Sequence, residues 1–260
     1  MNETEVITSR DNANLKLARA VRDSRDLSLI FIEGARLFEE AIRSRLDILH
    51  VLISADDSRS VKLAELLSYQ PAKLIKVAPR LFDTIADTTN SQGVIALARK
   101  PQSDRESLGG GIVVLLHEVN NPANLGAVVR SAEASGASGL ITTIGSADAF
   151  SPKALRASMG SAFRLPIVER LDLSDAIAWA GGRGLVSTAA DVSGKIRYSD
   201  VDWNVPRLVI FGSEAHGLEE RELASIDEKI CIPMESEVES LNLAVSSGII
   251  LFEAKRQRIG

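Results

Sequence analysis

Three short polar stretches carry the residue types that could do chemistry. They are Asn120-Asn-Pro-Ala-Asn124-Leu-Gly126, Gly212-Ser-Glu214-Ala-His-Gly217 and Ser240-Leu241-Asn242. Each comes soon after a short apolar run that reads as a strand: residues 112–116, 208–211 and 230–232. Pro233 ends the last run because it has no amide hydrogen for a sheet ladder. Ligands of parallel sheets gather at the carboxyl ends of strands, so three turns of this kind can converge on one crevice. The third turn opens a helix. Its first amides have no partner inside the helix and its end is partly positive, so a carboxylate or phosphate is the expected neighbour. Taken singly, each stretch is a common solvated turn, and their order and spacing carry the argument.

The elements that must position them follow from the pattern of apolar residues. The run at 112–116 is continuously apolar, as parallel strands buried on both faces are, and the helix after it reaches Ser135 before Gly136 ends it. A strand at 140–143 completes a βαβ unit. Ser151-Pro152 offers a cap with proline in the first turn of a helix bearing Lys153 and Arg156 one turn apart. A helix at 174–180 and strands at 185–189 and 208–211 follow. In the last helix Ala244, Ser246, Ser247 and Gly248 stand where bulk is usual, which predicts a close neighbour. Upstream, residues 12–24 read as a helix with Lys16, Arg19 and Arg22 three apart on one side. Strands at 29–32, 48–53, 74–77 and 93–98, with helices at 35–43, 60–67 and 80–86, predict a small α/β layer sandwich. The polar, glycine-bearing segment 101–111 reads as a linker between domains 1–100 and 112–260.

Bulk properties exclude several classes. With 260 residues, 45% of them hydrophobic, the chain can bury one or two cores. No apolar run approaches transmembrane length and the opening residues lack signal-peptide character, so a cytoplasmic protein is expected. Cys231 stands alone, and His50, His117 and His216 show no metal-ligand spacing, so no metal site is expected. No G-x-G-x-x-G can be written after the strand at 112–116, which disfavours a dinucleotide dehydrogenase. The net charge of −5 opposes non-specific nucleic-acid binding, so any RNA contact must be a local patch. Residues 1–105 hold 16 Lys/Arg against 15 Asp/Glu, leaving 14 against 20 for the rest, so the first part is the less acidic.

The three turns, in this order, resemble the three motifs of the SpoU (TrmH) family of RNA ribose 2′-O-methyltransferases. The first runs from Asn120 through Gly126 to Arg130, the second is Gly212-Ser-Glu214-x-x-Gly217, and the third runs from Ile232-Pro-Met234 through Ser240-Leu-Asn242. The segment Ser151-Pro-Lys153-x-x-Arg156-x-Ser158-x-Gly160 is also similar to the family's stretch between motifs one and two. The family's glycine two residues after the methionine is Ser236 here. Residues 7–16, Phe31 to Ala41 and Gln92-Gly93 resemble the substrate-binding domain that many SpoU proteins carry at the N-terminus.

The resemblance implies a small N-terminal α/β/α RNA-binding domain and a C-terminal α/β domain with a parallel sheet and a deep trefoil knot. It implies S-adenosylmethionine as methyl donor, held near Thr188, Gly212, Ile232, Met234 and Leu241. Asn124, Arg130, Glu214, Ser240 and Asn242 would form the catalytic site, and a homodimer would build it. Lys16, Arg19, Arg22, Lys153 and Arg156 are the expected RNA contacts. The implied substrate is 23S rRNA, with tRNA as the alternative. A catalytically silent RNA-binding homologue and an unrelated nucleotide-binding α/β enzyme are the competing readings.

Overall fold

The computed structural model describes residues 6–57, 72–235 and 239–259. The expected helix at 60–67 and Ser236 lie outside these residues. The chain divides into two compact units, residues 1–101 with 150–163, and residues 102–149 with 164–260.

The first unit is built on strands β1 (Val6–Ile7), β2 (Leu29–Glu33), β3 (Ile48–Ser54), β4 (Lys73–Val77) and β5 (Val94–Arg99). They lie in the order β1-β4-β3-β5-β2, with β1, β4 and β3 parallel and β5 antiparallel to both β3 and β2. Helices α1 (Ala13–Arg22), α2 (Ala35–Arg43) and α3 (Pro79–Phe82) belong to this unit. Leu15, Ala18 and Val21 recur at helical spacing and bury α1 against Phe31, Leu52, Ile75 and Phe82. Asn12 caps that helix by accepting the Asn14 amide hydrogen at 2.9 Å. The loop after α3 is held from two sides. Arg22 donates to the carbonyls of Thr84 and Ala86 at 3.1 and 3.2 Å, while the buried Glu33 carboxylate accepts from the amides of Asp87 and Thr88.

The second unit carries a seven-stranded parallel sheet. Its strands are β6 (Ile112–Leu116), β7 (Gly139–Thr143), β8 (Ile167–Leu171), β9 (Val186–Ala190), β10 (Ile196–Arg197), β11 (Arg207–Phe211) and β12 (Glu228–Cys231), in the order β10-β12-β9-β11-β6-β7-β8. Helix α4 (Pro122–Ser135) links β6 to β7, and α5 (Pro152–Ser158) follows in the 150–163 segment that packs with the first unit. Then come α6 (Leu173–Gly182), the one-turn α7 (Glu220–Leu223) and α8 (Leu243–Ile259). Ser247, Leu251 and Ala254 are buried, α8 packs along α4, and Gly248 lies against Ser131. That is the close neighbour the small residues predicted.

Sequence pattern missed β8, β10 and α7, and the two-residue β1 as well. Strand β8 is an edge strand whose Glu169 and Arg170 break the apolar run, and β10 has only two residues, too few for any period to register. The helix expected at 80–86 stops at Phe82 and the chain goes on in tighter turns, with the Thr84 amide bonded to the Leu81 carbonyl and the Ile85 amide to that of Phe82, while Arg22 takes the Thr84 and Ala86 carbonyls.

One buried cation ties the parallel strands together. Arg207 opens β11 and its side chain is only 5% exposed. It pairs with Glu228 of β12 at 2.5 Å, donates to Thr188 of β9 at 2.9 Å, and lies over the Trp203 ring. Removing one partner of such a pair strands the remaining polar groups. Arg207→Ala should therefore destabilise the protein by about 3 kcal/mol, read as a lowered urea midpoint, whereas Arg207→Met, which keeps most of the volume, should cost clearly less.

Candidate functional site

Because all seven strands of the second sheet are parallel, their carboxyl ends share one edge. The chain leaves β6 toward β7 on one side while β11 lies on the other, and a crevice forms where strand order reverses in this way. The turns after β6, β11 and β12 all reach that edge.

Each turn is shaped locally. After β6, Asn121 caps α4 by accepting the Ala123 amide hydrogen at 3.0 Å, with Pro122 in the first turn. After β11 the chain makes a tight loop in which Ser213 and Gly217 exchange backbone hydrogen bonds at 3.1 and 2.9 Å. A Cβ on Gly212 would collide with the Gly217 carbonyl, so glycine is required there by space. After β12, Asn242 caps α8: its Oδ1 accepts from the Ala244 amide at 2.9 Å, and its carbonyl accepts from Val245 and Ser246 at 3.0 Å each.

Side chains from the three turns join in one hydrogen-bonded chain. The Asn242 amide donates to Asn124 Oδ1 at 3.4 Å, and the Asn124 amide donates to the Glu214 carboxylate. Asn124 lies on the first turns of α4, Glu214 on the loop after β11, and Asn242 at the start of α8. The carboxylate's charge fixes the direction of the chain, since it can only accept. Each amide oxygen is thereby turned toward a donor.

Beside this chain lies a cavity of about 540 Å³. Phe211, Ile230, Ile232, Leu243 and Ile250 give it an apolar floor, while Asp191, Glu214, His216, Glu239 and Ser240 bring polar groups to it. Gly212, Met234 and Leu241 also line it. A few hundred cubic ångströms with an apolar body and a few convergent polar groups suits a nucleoside-sized ligand.

Of the residues singled out from sequence, Glu214, Ser240, Asn242, Gly212, Ile232, Met234 and Leu241 line this cavity, and Asn124 is bonded to two of them. Thr188 does not reach it. It is fully buried in β9, where its hydroxyl accepts from Arg207, and the chain reaches the cavity only two and three residues later at Ala190 and Asp191. The cause is positional: β9 pairs with β11 on one side and β12 on the other, so only its carboxyl end meets the edge. Arg130 is exposed on α4, six residues or about 9 Å along the axis from Asn124, does not line the cavity, and has no hydrogen bond or ion pair among the described residues.

The five expected RNA contacts lie in the first unit, and most are already engaged. Arg19 donates to Thr84 Oγ1 at 3.0 Å, Arg22 holds the 84–86 carbonyls, and Arg156 pairs with Asp87 at 2.7 Å. Lys16 pairs with Asp11 at 3.1 Å on an open surface, and Lys153 is exposed.

Sequence reasoning passed over Asp191, His216 and Glu239. His216 sits inside a motif quoted for its glycines and Glu214, so its position was on view. Asp191 and Glu239 had no signal, being ordinary loop acids. His117, in contrast, is structural: it is buried at the end of β6, with Nδ1 3.1 Å from the Thr143 hydroxyl and Nε2 3.2 Å from Glu222. Among the described residues no cluster of His, Cys, Asp or Glu could hold a metal, and no helix is long and apolar enough to cross a membrane.

A parallel α/β sheet with a ligand cavity at its carboxyl edge, joined across three polar turns, defines an enzyme of the nucleotide- or cofactor-using kind. The chain belongs to the SpoU rRNA methylase family, whose model matches residues 111–252, and residues 31–103 match the RNA 2′-O ribose methyltransferase substrate-binding domain. It is 31% identical to a 23S rRNA (uridine(2479)-2′-O)-methyltransferase of Streptomyces viridochromogenes, over 97% of this chain and 92% of that one. It is 24% identical to the 23S rRNA (guanosine(2553)-2′-O)-methyltransferase RlmP of Bacillus subtilis, over 98% and 100%. The crystal structure of the SpoU methyltransferase AviRb from Streptomyces viridochromogenes, in complex with the cofactor AdoMet, superposes with a TM-score of 0.87 at 29% identity, covering 96% of this chain and 99% of that one.

Asn242 has two separable jobs, capping α8 and donating to Asn124. Asn242→Ala should lose both and lower stability by about 1 kcal/mol. Asn242→Asp keeps the cap acceptor and should melt close to the unmodified protein. In both variants the Asn124 side-chain amide signals should shift in NMR spectra, because the Asn242 donor is gone.

Proposed function

We propose that this protein transfers a methyl group from S-adenosylmethionine to a ribose 2′-hydroxyl of RNA, and that its substrate is 23S rRNA. The observation that carries the reading is the Glu214-Asn124-Asn242 chain, which joins all three family motifs at the rim of one cavity. Two relatives named as acting on 23S rRNA, at different nucleotides, support the substrate class.

The cavity suits the cofactor. S-adenosylmethionine, when bound, supplies a methyl group on a positively charged sulfur. Asp191, Glu214 and Glu239 bring negative charge to the same cavity, and opposite charges attract. Backbone groups at Gly212, Ile232 and Leu241, with the Met234 side chain, would hold the remainder against the apolar floor.

The protein's own contribution is alignment and charge control. Glu214, Asn124 and Asn242 keep the three turns in register. Ser240, exposed at the mouth, offers a hydroxyl to RNA or cofactor. Arg130 would clamp the RNA phosphate beside the target ribose and stabilise the emerging alkoxide, because its planar fork matches phosphate and its guanidinium does not lose a proton in proteins. Its having no hydrogen bond or ion pair among the described residues supports that use.

A homodimer would account for two further features. Val245, Phe252 and Ile259 stand seven residues apart on α8 and are 50, 48 and 72% exposed, an apolar stripe that a second copy would cover. Arg130 lies outside its own chain's cavity, so a second copy would give it a site to serve. We also infer a trefoil knot in residues 112–260. Strand β12 is inserted between β9 and β10, and a Cβ on Gly194 would stand 2.6 Å from the Ile230 carbonyl carbon, a close backbone approach of the kind threading requires. Residues 1–100 would capture RNA through Lys16, Arg19 and Arg22, together with Lys153 and Arg156 of the 150–163 segment, after the engaged ones release their present contacts, with residues 101–111 as the linker. The reaction would take place in the cytoplasm with the ribosomal RNA.

Mapping 2′-O-methyl groups in total RNA with and without the gene tests the function: one 23S rRNA position should lose its methyl, and loss at a tRNA position instead would redirect the substrate. Arg130→Ala should abolish methylation while leaving S-adenosylmethionine affinity within a few-fold. Arg130→Lys should stay poor at every pH under clamping, and a lysine variant near the unmodified rate at high pH would sink that account. Sedimentation at micromolar concentration should give the mass of two chains.

A further inference from the structure

With Arg130 as a clamp, the ribose proton has no acceptor among the residues assigned so far. We propose that the imidazole of His216 takes it, an inference that rests on the methyl-transfer reading above.

His216 lines the cavity with Glu214 and Ser240. Its backbone is held in place on both sides: its amide donates to Ser213 Oγ at 3.2 Å, and the Ser213–Gly217 bridge closes the loop around it. Its ring is exposed and makes no hydrogen bond or ion pair among the described residues, so a ring nitrogen lone pair is open to substrate. The other histidine of this unit is not available, because His117 is buried between Thr143 and Glu222.

The competing acceptors at the cavity are carboxylates. Glu214 already receives the Asn124 amide, and one Asp191 oxygen receives the Ser193 amide and hydroxyl at 2.8 and 2.5 Å. Glu239 stands on the turn before α8. Among the described residues these three are the charged groups that line the cavity with His216. A carboxylate of ordinary basicity is a weaker acceptor near neutral pH than an imidazole, which is the side chain type suited to proton transfer there.

The step balances without another reagent. The 2′-oxygen forms its bond to the methyl carbon as the O–H bond breaks and the proton passes to the neutral ring nitrogen. The pair of the broken carbon–sulfur bond stays on sulfur, and the imidazolium releases its proton to solvent through the open side of the loop.

Single-turnover methylation of transcribed 23S rRNA by the full-length protein, across pH 5.5 to 9 (about two units either side of neutral), tests this. The unmodified rate should climb with pH and level off near neutrality. His216→Ala should be slower at neutral pH by a factor on the order of 10², with the levelling lost, and added imidazole should restore part of the rate. Its affinities for S-adenosylmethionine and RNA should stay within a few-fold. A His216→Ala rate close to the unmodified one overturns the inference. So does a rate lowered equally at every pH without imidazole rescue, since a merely structural residue would do that. If the unmodified protein methylates and the variant matches it, only the role of His216 fails; if the unmodified protein methylates no RNA, the methyl-transfer reading fails and this inference with it.

Discussion

The parallel register of the second sheet is the constraint on which the site depends. Seven strands pointing one way put every carboxyl end at one edge, so turns separated by some ninety residues of chain meet without any one being long. An antiparallel sheet of the same strands would divide those turns between two edges. The register is fixed from inside by Arg207, whose contacts with Thr188 and Glu228 connect β11, β9 and β12 across the side opposite β6. A charge in that place is tolerable because Nε donates to the Asp202 carbonyl, Nη1 to Thr188 and Glu228, and the guanidinium lies over Trp203, and its loss would leave those oxygens without a donor.

At the edge itself, order is passed from turn to turn through hydrogen bonds of fixed polarity. Glu214 accepts, Asn124 donates to it and accepts in turn, and Asn242 donates while its own oxygen caps α8. Asn242 therefore couples the start of α8 to the geometry of the turn after β6, 118 residues away in the chain. Asparagine suits this better than aspartate or serine, since it alone of the three offers a donor and an acceptor on one rigid plane. The cavity next to the chain is apolar below and acidic above, a combination that suits a ligand with a flat heterocycle and a positive centre.

The two units treat their basic residues differently. In the first, Arg19, Arg22 and Arg156 are drawn into loop carbonyls, a hydroxyl and a carboxylate, so that of the five residues expected to meet RNA only Lys16, in a surface pair with Asp11, and the exposed Lys153 are held loosely or not at all among the described residues. In the second, Arg130 is exposed and without a partner among the described residues, while Lys255 is spent on the Ala134 carbonyl at the end of α4. An unengaged arginine is available to a ligand; one already holding a loop must first release it.

By itself the sequence determined most element types, the α/β class and the three motif turns, because apolar runs of four to five residues bounded by turn residues are too short for helices and fit strands buried on both faces, and because proline, asparagine and glycine punctuate the chain at its turns. It also marked the small-residue side of α8, which the structure fills with α4. Strand β8 escaped it, since an edge strand half in water carries no clean period. Only the tertiary structure decided that Thr188 is sequestered between two strands and that Ala190 and Asp191 reach the cavity instead. It alone showed that residues 150–163 pack with the first unit, that Arg22 and Arg156 are occupied, and that His216 is open while His117 is locked. These are matters of which residues far apart in the chain come to share a neighbourhood, and no local pattern of side chains encodes them, because contact partners are set by strand order and packing rather than by spacing along the sequence.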